Sequence, residues 1–360
     1  MADIQKQLLQ FHENIKLGKY DENQELRDKR DIITDKIKNG LEKRFKDEDE
    51  DVPTIEFFDQ GSYATDTGIK PKDGDYDIDE GILIKLDKED YEDDPVYFKK
   101  IIRDIMLNHT KEEPDIKRPC VTITYTKDDE PQYHVDLPVY LNSSQDDNLY
   151  LAWGKESKSA KKEWQLSDPK GLNSYIRNAF FGDEKKQFKR VVRYLKKWKD
   201  IKFSSESKDG TPPSIGITLI AADYFKPIKE INSITGNEEP NDLKAMKELV
   251  EQLISLFSYQ YCNEEGEYLY IIEYKLPLDT IPDENKTNVF SKMTHKKMNS
   301  FYEKTLKLKD ALIYAINEKD PNKACAELVK FFGEDLPVPE STEDRYKTVG
   351  VSSAPSSNFA

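Results

Sequence analysis

The sequence contains little cysteine or histidine and no long apolar run. Its 360 residues include three cysteines, Cys120, Cys262 and Cys325, and four histidines. The cysteines show neither a metal-binding spacing nor an even disulfide set, which predicts a reducing, cytoplasmic environment. No stretch reaches the roughly 18 apolar residues typical of a membrane-spanning helix, and the polar first residues do not resemble a secretion signal, so no membrane partner is expected.

Apolar residues make up only 36% of the chain, whereas charged residues make up 35% and the formal net charge is -15. Aromatic residues at 11% nevertheless favour a folded protein over a disordered one. The acidic excess argues against a protein that coats nucleic acid or presents a broad surface to tRNA. Neither a P-loop nor a GxGxxG pattern is present, so P-loop hydrolysis and hydride transfer have no support.

The periodicity of apolar residues changes along the chain. Two long helices are predicted within residues 4–45, and then the order strand, short helix, strand, helix, strand, strand is predicted over residues 54–141. Six helices are predicted at 173–181, 185–199, 214–225, 242–257, 297–317 and 322–332. The predicted fold class is therefore α/β (α+β), with a mixed sheet and a helical C-terminal half.

This pattern suggests four regions. Residues 1–50 are expected to form N-terminal helices that pack across both lobes. Residues 51–165 form the predicted catalytic core, and residues 166–334 form a helical domain that completes a cleft. Residues 335–360 are rich in Pro, Ser, Thr and charge, which is typical of a flexible tail.

Two carboxylates stand at alternate positions on the way into a strand. Asp77 and Asp79 fall on one face of the predicted strand, because residues two apart in a strand point the same way. Asp136 lies in a second alternating strand, opposite the inward-facing Val135 and Leu137. Unpaired carboxylates side by side are costly unless a cation joins them, and oxygen ligands suit Mg²⁺ or Mn²⁺. The three residues could hold two metal ions about 3.5–4 Å apart, the arrangement used for nucleotidyl transfer.

Gly61 and Ser62 follow a predicted strand about fifteen residues before Asp77. A Gly-Ser turn at the start of a helix offers backbone N–H groups and a hydroxyl to a phosphate. An ordinary helix cap would look the same, and a solvated acidic edge would also explain the aspartates. The combination of strand, Gly-Ser, Asp-x-Asp and a later Asp is much rarer than its parts.

The segment from Asp59-Gln60-Gly61-Ser62 to Asp77-Ile78-Asp79, followed by Asp136, resembles the polymerase β-like nucleotidyltransferase superfamily. More narrowly, the chain resembles the cGAS/DncV-like nucleotidyltransferases (CD-NTases) of bacterial anti-phage (CBASS) defence. The segments Arg193–Trp198 and Pro212–Gly216 extend this resemblance into the helical half. The histidine and cysteine cluster of the animal enzyme's zinc insertion is absent from the sequence, so double-stranded DNA sensing is not expected.

The resemblance implies a role for each matching residue. Asp77 and Asp79 would bind both of two Mg²⁺ (or Mn²⁺) ions, and Asp136 would bind one of them and accept the proton of the attacking hydroxyl. Gly61 and Ser62 would hold the triphosphate of the donor nucleotide. The remaining predicted nucleotide-binding residues are Gln60, Tyr63, Arg193, Lys196 and Ser214.

The predicted helix at 185–199 can be assessed without the resemblance. Its apolar residues form one stripe, and Lys189, Arg193 and Lys196 cluster along one edge of it. A helix packed on the core would direct these three cations into an adjoining cleft, where a nucleoside triphosphate needs positive partners. The other lysines of the helix are interpreted as a solvated face; these are Lys185, Lys186, Lys197 and Lys199.

The sequence therefore predicts a nucleotidyltransferase that joins NTPs, ATP and GTP among them, into a cyclic di- or trinucleotide and releases pyrophosphate. The alternatives are a linear oligonucleotide synthetase, an enzyme that transfers a nucleotide to protein or tRNA, and a non-catalytic nucleotide-binding scaffold. The resemblance also suggests that a ubiquitin-transfer-like enzyme conjugates the C-terminal Ala360.

Overall fold

A computed structural model describes residues 3–17, 24–71, 76–127, 130–146, 148–157, 161–204, 211–231, 236–261 and 268–341. Within these ranges, no helix is both long enough and apolar enough to cross a membrane. The helices are α1 (Gln5–Ile15), α2 (Gln24–Asp47), α3 (Gly61–Ala64), α4 (Tyr97–Met106), α5 (Pro169–Asn178), α6 (Gly182–Lys202), α7 (Ser214–Tyr224), α8 (Asp242–Ser255), α9 (His295–Asn317) and α10 (Pro321–Phe332).

The strands form one large mixed sheet and two short hairpins. They are β1 (Ile55–Gln60), β2 (Tyr76–Asp87), β3 (Asp115–Ile116), β4 (Val121–Lys127), β5 (Glu130–Leu137), β6 (Val139–Asn142), β7 (Leu149–Trp153), β8 (Glu163–Ser167), β9 (Lys229–Ile231), β10 (Glu238–Pro240), β11 (Ser258–Tyr261) and β12 (Tyr268–Ile271). The large sheet has the order β3-β4-β5-β2-β6-β7-β8, and β1 also pairs with β2. Strand β2 runs parallel to β5 and β6 and antiparallel to β1, so the predicted mixed sheet is confirmed.

The last strand predicted within residues 54–141 is two strands in the structure. Pro138 separates β5 from β6, and both pair with β2, at Tyr76–Asp79 and at Ile82–Ile84 respectively. Proline has no N–H to donate to the ladder, so it interrupts the strand, while its carbonyl still accepts from the N–H of Ile82. The short strands β7 and β8, which extend the sheet, were not predicted.

The six helices predicted in the C-terminal half are all present as α5 to α10, with ends shifted by a few residues. Side-chain caps explain where several of these helices begin. Asp168 caps α5 with Pro169 at its first position, Asn241 caps α8, and Asp320 caps α10.

Two large hydrophobic clusters organise the described residues. The helix α1 contributes Leu8 and Phe11 to a cluster formed with α6 to α10. By contrast, α2 contributes Ile33 and Ile37 to a cluster formed with α4 and one face of the large sheet. The two N-terminal helices therefore pack on different parts of the molecule, and the predicted boundaries of the four regions stay predictions.

Candidate active site

The three predicted carboxylates meet on the central strands of the large sheet. On β2, Asp77 and Asp79 flank the buried Ile78, and Asp79 lies directly opposite Asp136 in the parallel pairing with β5. One carboxylate oxygen from each of Asp77, Asp79 and Asp136 lies within 4.8 Å of the others. Strand alternation places all three carboxylates on one face, because apolar neighbours fix the opposite face in the core, and the parallel pairing of β2 with β5 brings them together.

This cluster concentrates negative charge. Burial, together with the carboxylate of Asp136, raises the pKa of Asp79 to about 6, and the nearby Lys196 only partly opposes this shift. Lys117 places its Nζ 3.9 Å from Asp136 Oδ1 and is half-exposed. Like charges held this close fit a divalent cation, and an all-oxygen set suits Mg²⁺ or Mn²⁺. Asp77, Asp79 and Asp136 are thus the residues that would hold such ions.

The turn at Gly61 lies against this cluster. Gly61 begins α3 immediately after β1, with a φ of 62°. A Cβ built on Gly61 would lie 2.0 Å from Asp79 Oδ2, so any larger residue would collide with this carboxylate. Glycine is therefore required both for the left-handed backbone and for the close approach. The carbonyl of Ser62 accepts from the N–H of Thr67, which closes the turn.

The residues on either side of this turn have partners within the protein. The buried side chain of Gln60 donates from Nε2 to the hydroxyl of Tyr140 at 2.9 Å. The hydroxyl of Tyr63 accepts from Arg27 Nε at 2.9 Å. These contacts hold the turn in the fold, and a nucleotide contact from either residue stays a prediction.

The cations of α6 lie along the loop that follows α3. Arg193 is buried and donates to the carbonyls of Asp66 and Gly68 and to the carboxylate of Asp66, and Lys189 Nζ lies 2.7 Å from the same carboxylate. Asp66 has a φ of 53°, a left-handed conformation that aspartate tolerates better than most residues. Arg193 thus anchors this loop, and the predicted contact with a triphosphate would require it to leave these partners.

Lys196 is an α6 cation whose charge acts on Asp79. Its Nζ donates to the carbonyl and the hydroxyl of Thr67, and burial lowers its pKa to about 7. It lines a cavity of about 140 Å³ that also contacts Ser62, Asp77 and Ser214. The complete lining consists of Leu17, Ser62, Ile69, Pro71, Tyr76, Asp77, Lys196, Asp200 and Ser214. The cavity brings together four of the predicted site residues and places a buried amine beside them.

Two lysines expected on a solvated face have partners instead. Lys197 is buried and pairs with Asp335 at 2.6 Å, because Asp335 and the buried Leu336 pack back onto the helical cluster. Lys199 donates to Ser214 Oγ at 2.7 Å, so it ties α6 to the start of α7. The prediction of a solvated face was wrong for both residues, since periodicity cannot reveal a partner distant in sequence. Lys186 is exposed, as predicted.

Some residues of the site were missed in the sequence. Thr122 lies on β4 opposite Asp136 and donates its hydroxyl to Asp136 Oδ1. Alternation in Val121–Thr124 places Thr122 on the polar face of the sheet, which was the available signal. Tyr76 and Asp200 line the cavity without a recognisable sequence signal. Residues 342–360 of the predicted tail, Ala360 among them, lie outside the described residues.

Comparison with known proteins agrees with this geometry. Residues 55–140 match the model of the "Cyclic GMP-AMP synthase DncV-like, nucleotidyltransferase domain" family. A cyclic GMP-AMP synthase of Escherichia albertii is 30% identical over 181 residues, which are 48% of this chain and 38% of that protein. The sequence match therefore spans less than half of either protein.

The fold likeness extends over most of the chain. The structure of Vibrio cholerae DncV cyclic AMP-GMP synthase superposes with a TM-score of 0.66, at 16% identity, over 91% of this chain and 96% of that one. A complex of DncV with the linear intermediate 5' pppA(3',5')pG gives a TM-score of 0.66 at 17% identity, over 91% and 96%. The structure of CdnC of E. coli MS115-1 with ATP gives a TM-score of 0.61 at 17% identity, over 92% of this chain and 98% of that one.

The predicted conjugating partner of the C-terminus has no support in these comparisons. The carboxylate cluster, the Gly61 turn, the matched domain and the shared fold agree with one another, and the polymerase β-like fold is confirmed. Residues 55–140 match the nucleotidyltransferase domain of the DncV-like family, and the chain shares the fold of DncV.

Proposed function

We propose that the chain is a Mg²⁺-dependent enzyme that joins NTPs, ATP and GTP among them, into a cyclic di- or trinucleotide. The observation that carries this proposal is the carboxylate cluster of Asp77, Asp79 and Asp136, with the Gly61 turn against Asp79. The fold of DncV supports it, because solved complexes of that protein include GTP and a linear dinucleotide intermediate.

The reaction forms one bond and breaks one. A 2′- or 3′-hydroxyl of one nucleotide attacks the α-phosphorus of a second nucleotide. The bond from that phosphorus to the oxygen between the α- and β-phosphates breaks, and pyrophosphate leaves. Asp136 accepts the hydroxyl proton. Divalent cations, when bound, neutralise the charge that develops on the phosphates. A second transfer within the linear product closes the ring.

The remaining residues bind and orient the donor nucleotide. Ser62 and the backbone of the Gly61 turn hold the triphosphate, and the amine of Lys196, which lines the same cavity, supplies a positive charge. Ser214 also lines that cavity, and Lys199 donates to its hydroxyl. Arg193 keeps the loop of Asp66 in place beneath the turn.

A product assay tests this proposal. Purified protein is incubated with α-³²P-labelled NTPs and Mg²⁺, and the products are treated with phosphatase before separation. A phosphatase-resistant product is expected from the wild type and not from the double variant Asp77→Ala/Asp79→Ala. Asp93→Asn, which alters an exposed carboxylate before α4, serves as the matched control and keeps full activity.

Other outcomes identify the alternatives. A phosphatase-sensitive ladder would indicate a linear oligonucleotide synthetase, and label retained on protein or tRNA would indicate a transferase of another kind. No product with either Mg²⁺ or Mn²⁺ would favour a non-catalytic scaffold. A role in anti-phage signalling is part of the proposal, and plating of phage on cells that express the wild type or the double variant tests it.

A further inference from the structure

Thr122 contacts Asp136 directly. The two residues face each other across the antiparallel pair β4–β5, and the Thr122 hydroxyl donates to Asp136 Oδ1. Thr122 is 2% exposed, so water does not compete freely for this bond. The Cys120 Sγ atom lies 3.6 Å from the same hydroxyl, and burial together with Asp136 keeps the pKa of that thiol high.

A hydrogen bond of this kind restricts the carboxylate that accepts it. The side chain of an aspartate otherwise rotates freely about its last bond, and its oxygens then spread over many positions. Side chains that bond to metal-binding carboxylates fix the orientation of the ligand, and removing them typically weakens metal binding. Asp136 is the carboxylate to which the proposed function assigns both metal binding and proton transfer, so its orientation matters for both.

Resting on that proposed function, we propose that Thr122 is a positioning residue that holds the Asp136 carboxylate in the geometry needed to bind a divalent ion. Thr122 itself does not touch the metal or the nucleotide. Its contribution passes through one hydrogen bond, so it depends on the hydroxyl and not on the size or the branching of the side chain.

The neighbouring rung of the same sheet provides a matched control. Two residues along β4, the hydroxyl of Thr124 lies 3.1 Å from Nδ1 of His134, which faces it on β5. Thr124 shares strand, neighbour strand and chemistry with Thr122, but its hydroxyl bonds to His134 rather than to Asp136. Its replacement reports the cost of removing a hydroxyl from this strand pair without disturbing Asp136.

The experiment measures Mn²⁺ binding by electron paramagnetic resonance for the full chain, with kcat and KM for NTP determined in parallel. Thr122→Val should weaken Mn²⁺ binding by about tenfold to a hundredfold. It should lower kcat while KM for NTP changes little. Thr122→Ser keeps the hydroxyl and should bind Mn²⁺ as the wild type does, and Thr124→Val should also match the wild type. If Thr122→Val does not fold, Thr122→Ala removes the same hydroxyl.

Three results separate this inference from the proposed function. Equal Mn²⁺ affinity in Thr122→Val and the wild type would overturn the inference alone. Weakened binding in a protein that makes no nucleotide product would support the inference and overturn the proposed activity. A wild type that binds no Mn²⁺ would overturn both.

Discussion

Asp79 should destabilise the metal-free protein at neutral pH. Its pKa is raised from 3.8 to about 6 by burial and by Asp136, so the folded state resists ionisation more than the unfolded state does. Each pKa unit corresponds to about 1.4 kcal/mol. Ionised Asp79 therefore lowers the free energy of unfolding by up to about 3 kcal/mol at pH values where it is charged in both the folded and the unfolded protein. Asp79→Asn removes this charge, and we expect it to raise the free energy of unfolding by about 1 to 3 kcal/mol at pH 7.5.

The pH dependence of this gain has a definite sign. Because the pKa of Asp79 is higher in the folded state, ionised Asp79 lowers the free energy of unfolding. This destabilisation is fully present above about pH 6 and absent well below the ordinary pKa near 3.8. The stabilisation by Asp79→Asn should therefore fall to about half at pH 5 and to about a fifth near pH 4. Asp77→Asn is the control, since Asp77 is exposed and its replacement should change stability by less.

Bound metal should make the wild type more stable than Asp79→Asn, which reverses their order of stability in chelator. An ion that binds only the folded wild type stabilises it in proportion to the logarithm of its concentration, and Asp79→Asn loses this gain. The assay is urea unfolding followed by circular dichroism, in chelator and then in Mg²⁺, at pH 7.5 and pH 5. A lower stability of Asp79→Asn than of the wild type in chelator at pH 7.5, or a stability difference that does not depend on pH, would contradict this prediction.

Three further substitutions test separate parts of the account. Gly61→Ala should abolish nucleotide product, because its Cβ would lie 2.0 Å from Asp79 Oδ2, and the assay of labelled product measures this. Lys196→Met should raise KM for NTP about tenfold or more while leaving the metal-free fold intact, since it removes a charge-assisted contact and a buried amine. Lys99→Met should lower the free energy of unfolding by about 3 kcal/mol or more, because the buried Lys99 amine lies within hydrogen-bond distance of four carbonyls in the 117–118 and 152–154 segments. Urea unfolding measures the last effect, and an unchanged midpoint would contradict it.

The helices of the C-terminal half and the carboxylate cluster could both be predicted from the sequence, and for the same reason. Apolar periodicity fixes which face of a helix or strand enters the core, and the polar face follows from it. Asp79 and Asp136 therefore meet once β2 and β5 are paired, although the parallel pairing itself is a long-range property. Their function as metal ligands stays a prediction that follows from their proximity.

The partners of the α6 cations could not be predicted, because they depend on contacts between segments that are distant in sequence. Lys189 and Arg193 of α6 both bind Asp66, more than 120 residues away, and the partner of Lys197 is Asp335. Periodicity shows that such a cation lies at the edge of an apolar stripe, but not which carboxylate or carbonyl it will reach. The strands β7 and β8, each five residues long, were also missed.

The most direct test of ring closure is the ratio of pyrophosphate released to nucleotide incorporated in a single reaction with ATP, GTP and Mg²⁺. A cyclic product requires one pyrophosphate for every nucleotide, whereas a linear product with an intact 5′-triphosphate releases one fewer than its number of nucleotides. The account predicts the equal ratio for the wild type and no release for Asp77→Ala/Asp79→Ala. A smaller ratio would contradict ring closure, and release that persists in the double variant would contradict the role of the carboxylate cluster.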